Sequence, residues 1–329
     1  MAKTPGTSLG RRAAAGGGIA ALAAAAARAQ PAAAARPARM ITMAQPGSSL
    51  DIAARVMTEG LSRRRGHPMA VENRPGADGI LAAEAFVQAR PGEALFYGIH
   101  AVITVTPLLV ERLPYNPEVD LVPIHPGATD FLGLLVPEAS AARSAAALIE
   151  AARAQPGALN WNSLGAGYLA FRNMIQAAGG LDMTYVAYRG TPAALLDLAA
   201  GHLQVVLLPL APAAPLLREG RIRLLAVSNP VRSALFPDVP TAAEAGIPAM
   251  EMEGAHGLFG WRGMPAPLRD ELAAQVAAVL ADPAAAARLR SAGMEPRAAT
   301  TPEAFVAEIA RSRTHWAALT RAFGARPPG

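Results

Sequence analysis

The stretch RMITMAQPGSSLDIAARVMTEGL, residues 39–61, contains the smallest unit of an α/β fold. Its first six residues have the apolar character of a short buried strand, and Pro46–Gly47 then end that strand with a turn. Beyond the turn, Ile52, Val56 and Leu61 recur at helical spacing on one face. A strand that leads through a turn of small residues into an amphipathic helix indicates α/β architecture.

The rest of the chain repeats this alternation of short apolar runs with helical patterns. The candidate strands are RMITMA, MAVEN, LFYGI, FLGLLV, ALNWN, MTYVAY, LQVVLL, IRLLAV and GLFGW. Few of them are joined by tight hairpin turns, so we expect crossover connections and mainly parallel sheets. Thr191 and Thr301, each followed by proline, and the Thr241/Glu244 capping box predict where three helical segments begin.

Composition limits the kind of protein. A chain of 329 residues fits two domains of ordinary size. The 30 Lys+Arg and 25 Asp+Glu give a net charge of +5, but the arginines are scattered without basic blocks, so we expect no nucleic-acid partner. The absence of cysteine excludes disulfides and thiolate zinc sites. Since the six histidines never pair at metal-ligand spacing, we expect no metal and no cofactor.

The N-terminal segment has the features of an export signal. The pair Arg11–Arg12 precedes an alanine-rich apolar run, and Ala27–Ala29 offers an A-x-A cleavage site. We therefore expect residues 1–29 to be a signal peptide, residues 30–37 a disordered tether, and the mature protein to be periplasmic, with the Sec and twin-arginine routes both open. The alternative is a disordered leader of a cytosolic protein.

The turn after the first strand is a candidate binding element. Gly47, Ser48 and Ser49 lie where a helix is expected to begin, and unpaired N–H groups and the positive end of the helix dipole favour an anion there. A serine hydroxyl at this place either donates to a ligand or caps the helix. Asp51 either complements the helix dipole or orders a bound water or a donor group of a ligand.

Two later patches have a similar design. LNWNSLGAGYLAF, residues 159–171, leads from a strand through Ser163 and two glycines into a helical run, and its G-A-G lacks the other residues of a dinucleotide fingerprint. Tyr188 and Arg189 precede the helix that begins at Thr191. The arginine either holds a carboxylate or is a solvated loop residue.

Three longer segments stand in a specific order around these patches: VENRPGADGILAAEAF, RLPYNPEVDLVPI and LAVSNPVRSALFPDVPTAAEAGIP. With the turns, they resemble the substrate-binding receptors of the tripartite tricarboxylate transporter family, also called Bug proteins, from about Met40 to Phe323. The resemblance implies a type II-like periplasmic binding protein whose two α/β lobes are joined by crossover strands. Lobe 1 would comprise residues 38–128 plus 252–329, and lobe 2 residues 129–251.

The resemblance also implies a function and a site. A monomer would capture a small organic acid between the lobes and deliver it to a membrane permease of the transporter, without catalysis. Backbone N–H groups, hydroxyls and waters of the two turns would hold the ligand carboxylate, and the stretch that contains His100 would face the cleft; alternatively, His100 is a hydrogen-bonded histidine at a strand end. The candidate ligand-binding residues are Gly47, Ser48, Ser49, Asp51, His100, Ser163, Gly165, Ala166, Gly167, Tyr168, Tyr188 and Arg189.

Some positions depart from the family pattern. Ser48 stands where the pattern has a second glycine, Tyr168 where it has threonine or serine, and Phe171 where it has histidine. Leu208–Leu210 replaces a polar segment. We expect a less polar, more crowded pocket that takes a monocarboxylate or an aromatic acid rather than a di- or tricarboxylate, or binding that has weakened.

Three other functions stay open at this point. An enzyme has little support, because the sequence contains no G-x-S-x-G elbow, H-E-x-x-H motif, P-loop or cysteine nucleophile. A ligand-sensing receptor for a signalling partner would use the same pocket. A degenerate, non-binding scaffold is the third alternative.

Overall fold

The structure is a computed structural model that describes residues 1–2, 37–188 and 190–323. The chain divides into two compact units, residues 1–36 and 37–329, and both β-sheets belong to the second. Residues 3–29 of the predicted export signal and residues 30–36 of the predicted tether lie outside the described residues, as does Arg189.

Eleven strands are present in the described part of the chain. In chain order they are β1 (Arg39–Thr42), β2 (Ala70–Asn73), β3 (Ala94–Ile99), β4 (Val122–Asp130), β5 (Leu132–Pro137), β6 (Asn160–Ser163), β7 (Thr184–Tyr185), β8 (Val205–Pro209), β9 (Ile222–Val227), β10 (Gly254–Gly260) and β11 (Met294–Pro296).

Helices lie between most of the strands. Within the described ranges they are α1 (Ser49–Arg65), α2 (Ile80–Gln88), α3 (Ala101–Thr104), α4 (Thr106–Leu109), α5 (Ala145–Ala154), α6 (Ala166–Ala177), α7 (Thr191–Ala200), α8 (Leu210–Arg218), α9 (Ala266–Leu280), α10 (Pro283–Ser291) and α11 (Pro302–Phe323). Short 3-10 turns occupy Ala77–Gly79 and Pro248–Met250.

The strands form two mixed sheets. The first sheet has the order β11-β4-β10-β3-β1-β2 and the second the order β7-β6-β8-β5-β9. The predicted α/β class is therefore present, but the expectation of mainly parallel sheets needs a correction. Strands β1, β2 and β3 pair in parallel, as do β6, β7 and β8, whereas β4, β5, β9, β10 and β11 make antiparallel pairs. The reason is that the chain crosses between the sheets at β4–β5 and at β9–β10. Each of these four strands runs antiparallel to a neighbour in its sheet.

All nine predicted strands are present, and two further strands escaped prediction. One is β4, which contains Pro123 and Pro126, residues that argue against a strand inside a sheet. Its pairing with β10 shifts register beside both prolines, and such irregularities are where a sheet tolerates a missing N–H. The other is β11, which has only three residues.

Apolar clusters cover both faces of each sheet. Met40 and Leu95 point to one face of the first sheet, while their neighbours Ile41 and Phe96 point to the other. The second sheet is covered in the same way on its two faces. Helix α11 contacts both sheets, because Phe305 packs into a cluster of the first sheet and Trp316 into a cluster of the second.

Two of the predicted helix starts have the expected hydrogen bonds. Thr301 Oγ1 accepts the N–H of Ala304 at 3.2 Å. Thr241 and Glu244 form a reciprocal capping box with distances of 2.9 and 3.2 Å, although the segment after it is a turn and not a helix. At α7 the cap position falls on Gly190, so the hydroxyl of Thr191 does not cap this helix.

No single helix in the described ranges is long and apolar enough to cross a membrane. Helices α9 and α10 reach that length and composition only together, and they are bent by 74° at the break between them.

Candidate functional site

A cleft of about 300 Å³ opens between the two sheets. The first sheet contributes the segment that follows β3, and the second contributes the turn that leads into α6 and the end of β8. The two crossovers form its base through Asp130, Met252 and Glu253. The cleft therefore lies beyond the carboxyl ends of β3, β6 and β8, where open α/β sheets bind ligands.

A larger groove of about 680 Å³ lies at the opposite end of β3 and β10. It is lined by the turn at residues 113–116 and by Trp261 and Arg262. Asp120 engages Arg262 through an ion pair at 2.8 Å and accepts the N–H of Asn116 at 2.6 Å. The charged groups of this groove thus satisfy one another, and only the first sheet borders it. We therefore place the candidate site in the smaller cleft between the two sheets.

The N-terminus of α6 supplies the clearest ligand-binding element of the cleft. Gly165, Ala166 and Gly167 all line the cavity, and no side chain caps this helix. Gly165 has a φ of 54°, a conformation that glycine adopts without strain. The described part of the chain offers no acceptor for the N–H groups of Gly165 and Ala166. Free N–H groups at the positive end of a 12-residue helix are suited to an anion.

The side chains that flank this turn point away from the cavity. Ser163 is fully buried, and its hydroxyl donates to the carbonyl of Leu207 at 2.7 Å. Tyr168 and Phe171 stack on Trp161 with centroid distances of 5.4 and 4.4 Å, inside the core of the second sheet. Neither ring belongs to the cavity wall, so the two bulky residues do not crowd the cleft as the sequence led us to expect.

The turn before α1 is held by its own side chains. Ser48 Oγ caps the helix by accepting the N–H of Asp51 at 3.3 Å. The buried Asp51 carboxylate accepts the N–H of Gly47, the Nε of Arg55 and the amide of Asn73 at 2.8–2.9 Å. Burial opposes ionisation of Asp51, but these hydrogen bonds outweigh it and keep its pKa below the ordinary value.

This turn lies at the same edge of the first sheet as His100, because β1 and β3 run in parallel and in register. Gly47, Ser48, Ser49 and Asp51 are nevertheless absent from the cavity wall. The structure therefore gives Asp51 a structural task, which is to tie the turn to β2, and its ligand-binding role stays a prediction.

Tyr188, the described residue of the third predicted patch, is absent from the cavity wall. Tyr188 donates its hydroxyl to the carboxylate of Asp197 on α7. Burial and this hydrogen bond raise the pKa of Tyr188 to about 12. The bond fixes the loop against α7, and a role in ligand binding stays a prediction for Tyr188 as it does for Arg189.

His100 lies in the cleft, as the resemblance implied. Its side chain is almost wholly buried, with the ring 4.9 Å from that of Phe305. Nδ1 lies 3.5 Å from Glu308 Oε1, whereas Nε2 has no hydrogen-bond partner in the described residues. Burial lowers the pKa of His100 to about 4; the Glu308 carboxylate opposes this shift, and Arg297 and His256 add to it.

The lowered pKa of His100 predicts how stability depends on pH. The unfolded chain binds a proton at this histidine below pH of about 6.5, while the folded protein resists protonation down to about 4. Stability is therefore fully present above the unfolded value and falls as the pH is lowered through this window. Between pH 7 and pH 5 we expect His100 alone to remove about 2 kcal/mol of unfolding free energy.

Urea unfolding at a series of pH values tests this expectation. In His100→Gln the unfolding free energy should depend less on pH. The remaining dependence is due to His125, because burial lowers the pKa of that histidine too. His315→Gln, at an exposed position, is the matched control and should retain the full slope. Equal slopes for His100→Gln and the parent would contradict the assignment.

Three carboxylates of the cleft escaped the sequence analysis. Asp78, Asp130 and Glu253 line the cavity. Asp130 ends the unpredicted strand β4, and Glu253 directly precedes β10. The available signal was an acidic residue close before two apolar runs, at what proved to be the two crossovers: Asp130 immediately precedes FLGLLV, and Glu253 lies four positions before GLFGW.

Two of these carboxylates, Asp130 and Glu253, are joined to a polar network. Asp130 Oδ2 lies 3.0 Å from His256 Nε2, and Glu253 Oε1 accepts the hydroxyl of Thr129 at 2.9 Å. Arg297 forms two bonds of 2.8 Å with Glu308 and lies 3.6 Å from Glu253. No group of three or more metal-ligating side chains occurs in the described ranges.

Comparisons with known proteins place the chain in one family. Residues 53–323 match the model of the tripartite tricarboxylate transporter family receptor. Over 267 residues the chain is 35% identical to a UPF0065 protein of Bordetella bronchiseptica, and the match covers 79% of this chain and 78% of that protein.

Solved structures of two proteins from Rhodopseudomonas palustris are similar in fold. The structure of Rpa4515 with adipate has a TM-score of 0.75 and 26% identity, and covers 89% of this chain and 98% of its own. MatC with bound malate has a TM-score of 0.71 and 26% identity, and covers 86% and 98% respectively. The predicted fold class is thereby confirmed.

Proposed function

The chain belongs to the tripartite tricarboxylate transporter receptor family, and we propose that its cleft binds a small carboxylate through the N-terminus of α6. The family match confirms the resemblance found in the sequence, and with it the function of a solute-binding receptor. The proposal concerns which group of the ligand is recognised and by which residues.

The observation that carries the proposal is the uncapped end of α6 inside the cleft. The N–H groups of Gly165 and Ala166 have no acceptor in the described residues, and both residues are open enough to solvent for a ligand to reach them. A carboxylate would satisfy both donors and would also gain from the helix dipole. Two structural relatives hold adipate and malate, both of which are carboxylates.

Capture would proceed by closure of two lobes. We assign residues 38–128 and 252–329 to lobe 1 and residues 129–251 to lobe 2. The division into two sheets supports this assignment, except that Thr129 and Asp130 pair in the first sheet. A ligand held by α6 in one lobe and by the segment at His100 in the other stabilises the closed arrangement, since it contacts both walls.

Partners and location follow from the family. Receptors of this family are periplasmic, and we propose that residues 1–29 direct export of this chain. A monomeric receptor would then present its ligand to the membrane permease of a tripartite transporter. We propose binding without turnover, so the ligand should be recovered chemically unchanged.

A comparison of acids with their amides tests the proposal. Protein purified from the periplasm is first freed of co-purified ligand by unfolding and refolding, and its melting temperature is measured with small carboxylic acids and with the matching primary amides. An acid bound to the folded state raises the melting temperature by mass action, whereas an amide of the same shape lacks the charge that α6 attracts. Equal shifts for acid and amide would contradict carboxylate recognition, and no shift with any acid would favour the non-binding scaffold.

A further inference from the structure

Part of the wall of the cleft consists of acidic residues. Asp78, Asp130 and Glu253 contribute carboxylates to the same cavity that Gly165 and Ala166 line with N–H groups. The cleft therefore offers both donors and anionic acceptors to a ligand.

The charges around the cavity do not balance. In the described ranges no lysine or arginine lines it, although the whole chain carries a net charge of +5. The nearby cation Arg297 is engaged by both oxygens of Glu308 and shared with Glu253. One arginine thus faces the carboxylates of Glu253 and Glu308, while Asp130 has the imidazole of His256 as its ionisable neighbour. A second carboxylate on the ligand would meet like charge at this wall.

His100 independently indicates the same ligand chemistry. It lines the cavity, only 6% of its surface is exposed, and its Nε2 has no hydrogen-bond partner among the residues that the structure describes. Its other nitrogen lies 3.5 Å from the carboxylate of Glu308, which can only accept, and we therefore place the proton on Nδ1. Nε2 is then an acceptor, and a buried acceptor without a partner calls for a donor on the ligand.

We infer that the ligand is a small carboxylate that also carries a protonated amine, an amino acid in the broad sense, and that it is not a dicarboxylate. The inference rests on the proposed function, since the carboxylate of the ligand occupies the N-terminus of α6. The ammonium group then faces Asp130, Glu253 and the Nε2 of His100, and each of these acceptors gains a charged donor.

Isothermal titration of the purified, ligand-free protein with matched five-carbon acids tests the inference. The probes are pentanoate, 5-aminopentanoate, 2-aminopentanoate and glutarate, each repeated with its four- and six-carbon homologues. The better of the two amino acids should bind at least about ten-fold more tightly than both the monoacid and the diacid of the same length, because a hydrogen bond between charged groups in a shielded site has that effect.

A substitution separates the two ends of the ligand. Glu253→Gln should weaken binding of the preferred amino acid about ten-fold but should not weaken binding of the monoacid, since the monoacid has no group that bonds to this wall and loses only a repulsion. Glu150→Gln, an exposed carboxylate on α5, is the control and should alter neither affinity.

The outcomes distinguish this inference from the function on which it rests. Glutarate binding as tightly as the amino acids, or an equal loss for monoacid and amino acid in Glu253→Gln, would overturn the amine recognition and leave carboxylate binding intact. If none of the acids binds, both fall together.

Discussion

Replacing Ala166 with aspartate is expected to weaken carboxylate binding about 100-fold while the protein stays as stable as the parent. Ala166 is the first residue of α6 and lines the cleft, so the new carboxylate would sit at the proposed anion site. Repulsion between two carboxylates a few ångströms apart in a partly shielded site is worth about 2–4 kcal/mol. Stability should not fall, because an acidic residue in the first helical turn complements the helix dipole.

Two variants control for size and for general charge effects. Ala166→Asn has the same shape without the charge and should lose only a few-fold in affinity. Ala146→Asp adds a carboxylate to the first turn of α5, which does not border the cleft, and should bind like the parent. The affinities from calorimetry and the melting temperatures of all three variants show whether the loss of binding comes from the charge at residue 166. If Ala166→Asp retains parental affinity, the N-terminus of α6 does not hold the ligand.

Phe171→Ala is expected to lower the unfolding free energy by about 3–5 kcal/mol. Phe171 is fully buried and stacks on Trp161 with an interplanar angle of 9°, so its removal leaves a cavity between the second sheet and α6. Leu196→Ala, on the exposed face of α7, is the control and should change stability by less than about 0.5 kcal/mol.

Phe171→His tests which environment this position occupies. The family pattern has histidine here, and the structure predicts that an imidazole buried against Trp161 destabilises the protein without altering ligand preference. Urea unfolding and titration with the bound acid provide both readouts. A fully stable Phe171→His variant with changed ligand preference would place residue 171 in the cleft instead of the core.

Two elements of the cleft, the Gly165–Gly167 turn and His100, could be predicted because the sequence around each of them contains a recognisable pattern. Gly165–Gly167 follow a strand-like run and begin a helical pattern, and a helix end after a strand is an anion site wherever the fold leaves it open. His100 follows another predicted strand. The predicted strands LFYGI and ALNWN stop at Ile99 and Asn162, shortly before these two elements, so the strand ends could be located from the sequence.

Other candidate residues lie elsewhere because side-chain direction is not a local property. Ser163 and Tyr168 flank the same turn, yet one donates to a neighbouring strand and the other stacks on Trp161. Asp51 holds the turn before α1 in place by accepting the N–H of Gly47 and the amide of Asn73 on β2. Each of these directions is fixed by a partner that the local pattern does not reveal.

The sequence by itself determined the α/β class, the nine strands with clear apolar runs and the helix end that offers N–H groups, because these depend on local patterns of apolar residues, glycine and proline. Only the tertiary structure decided that Asp130 and Glu253 line the same cleft as that helix end. They belong to crossovers that lie far apart in the sequence, and the antiparallel path of the chain between two sheets brings them together. The charge of the cleft is therefore a property of the fold, opposite in sign to the net charge of the chain.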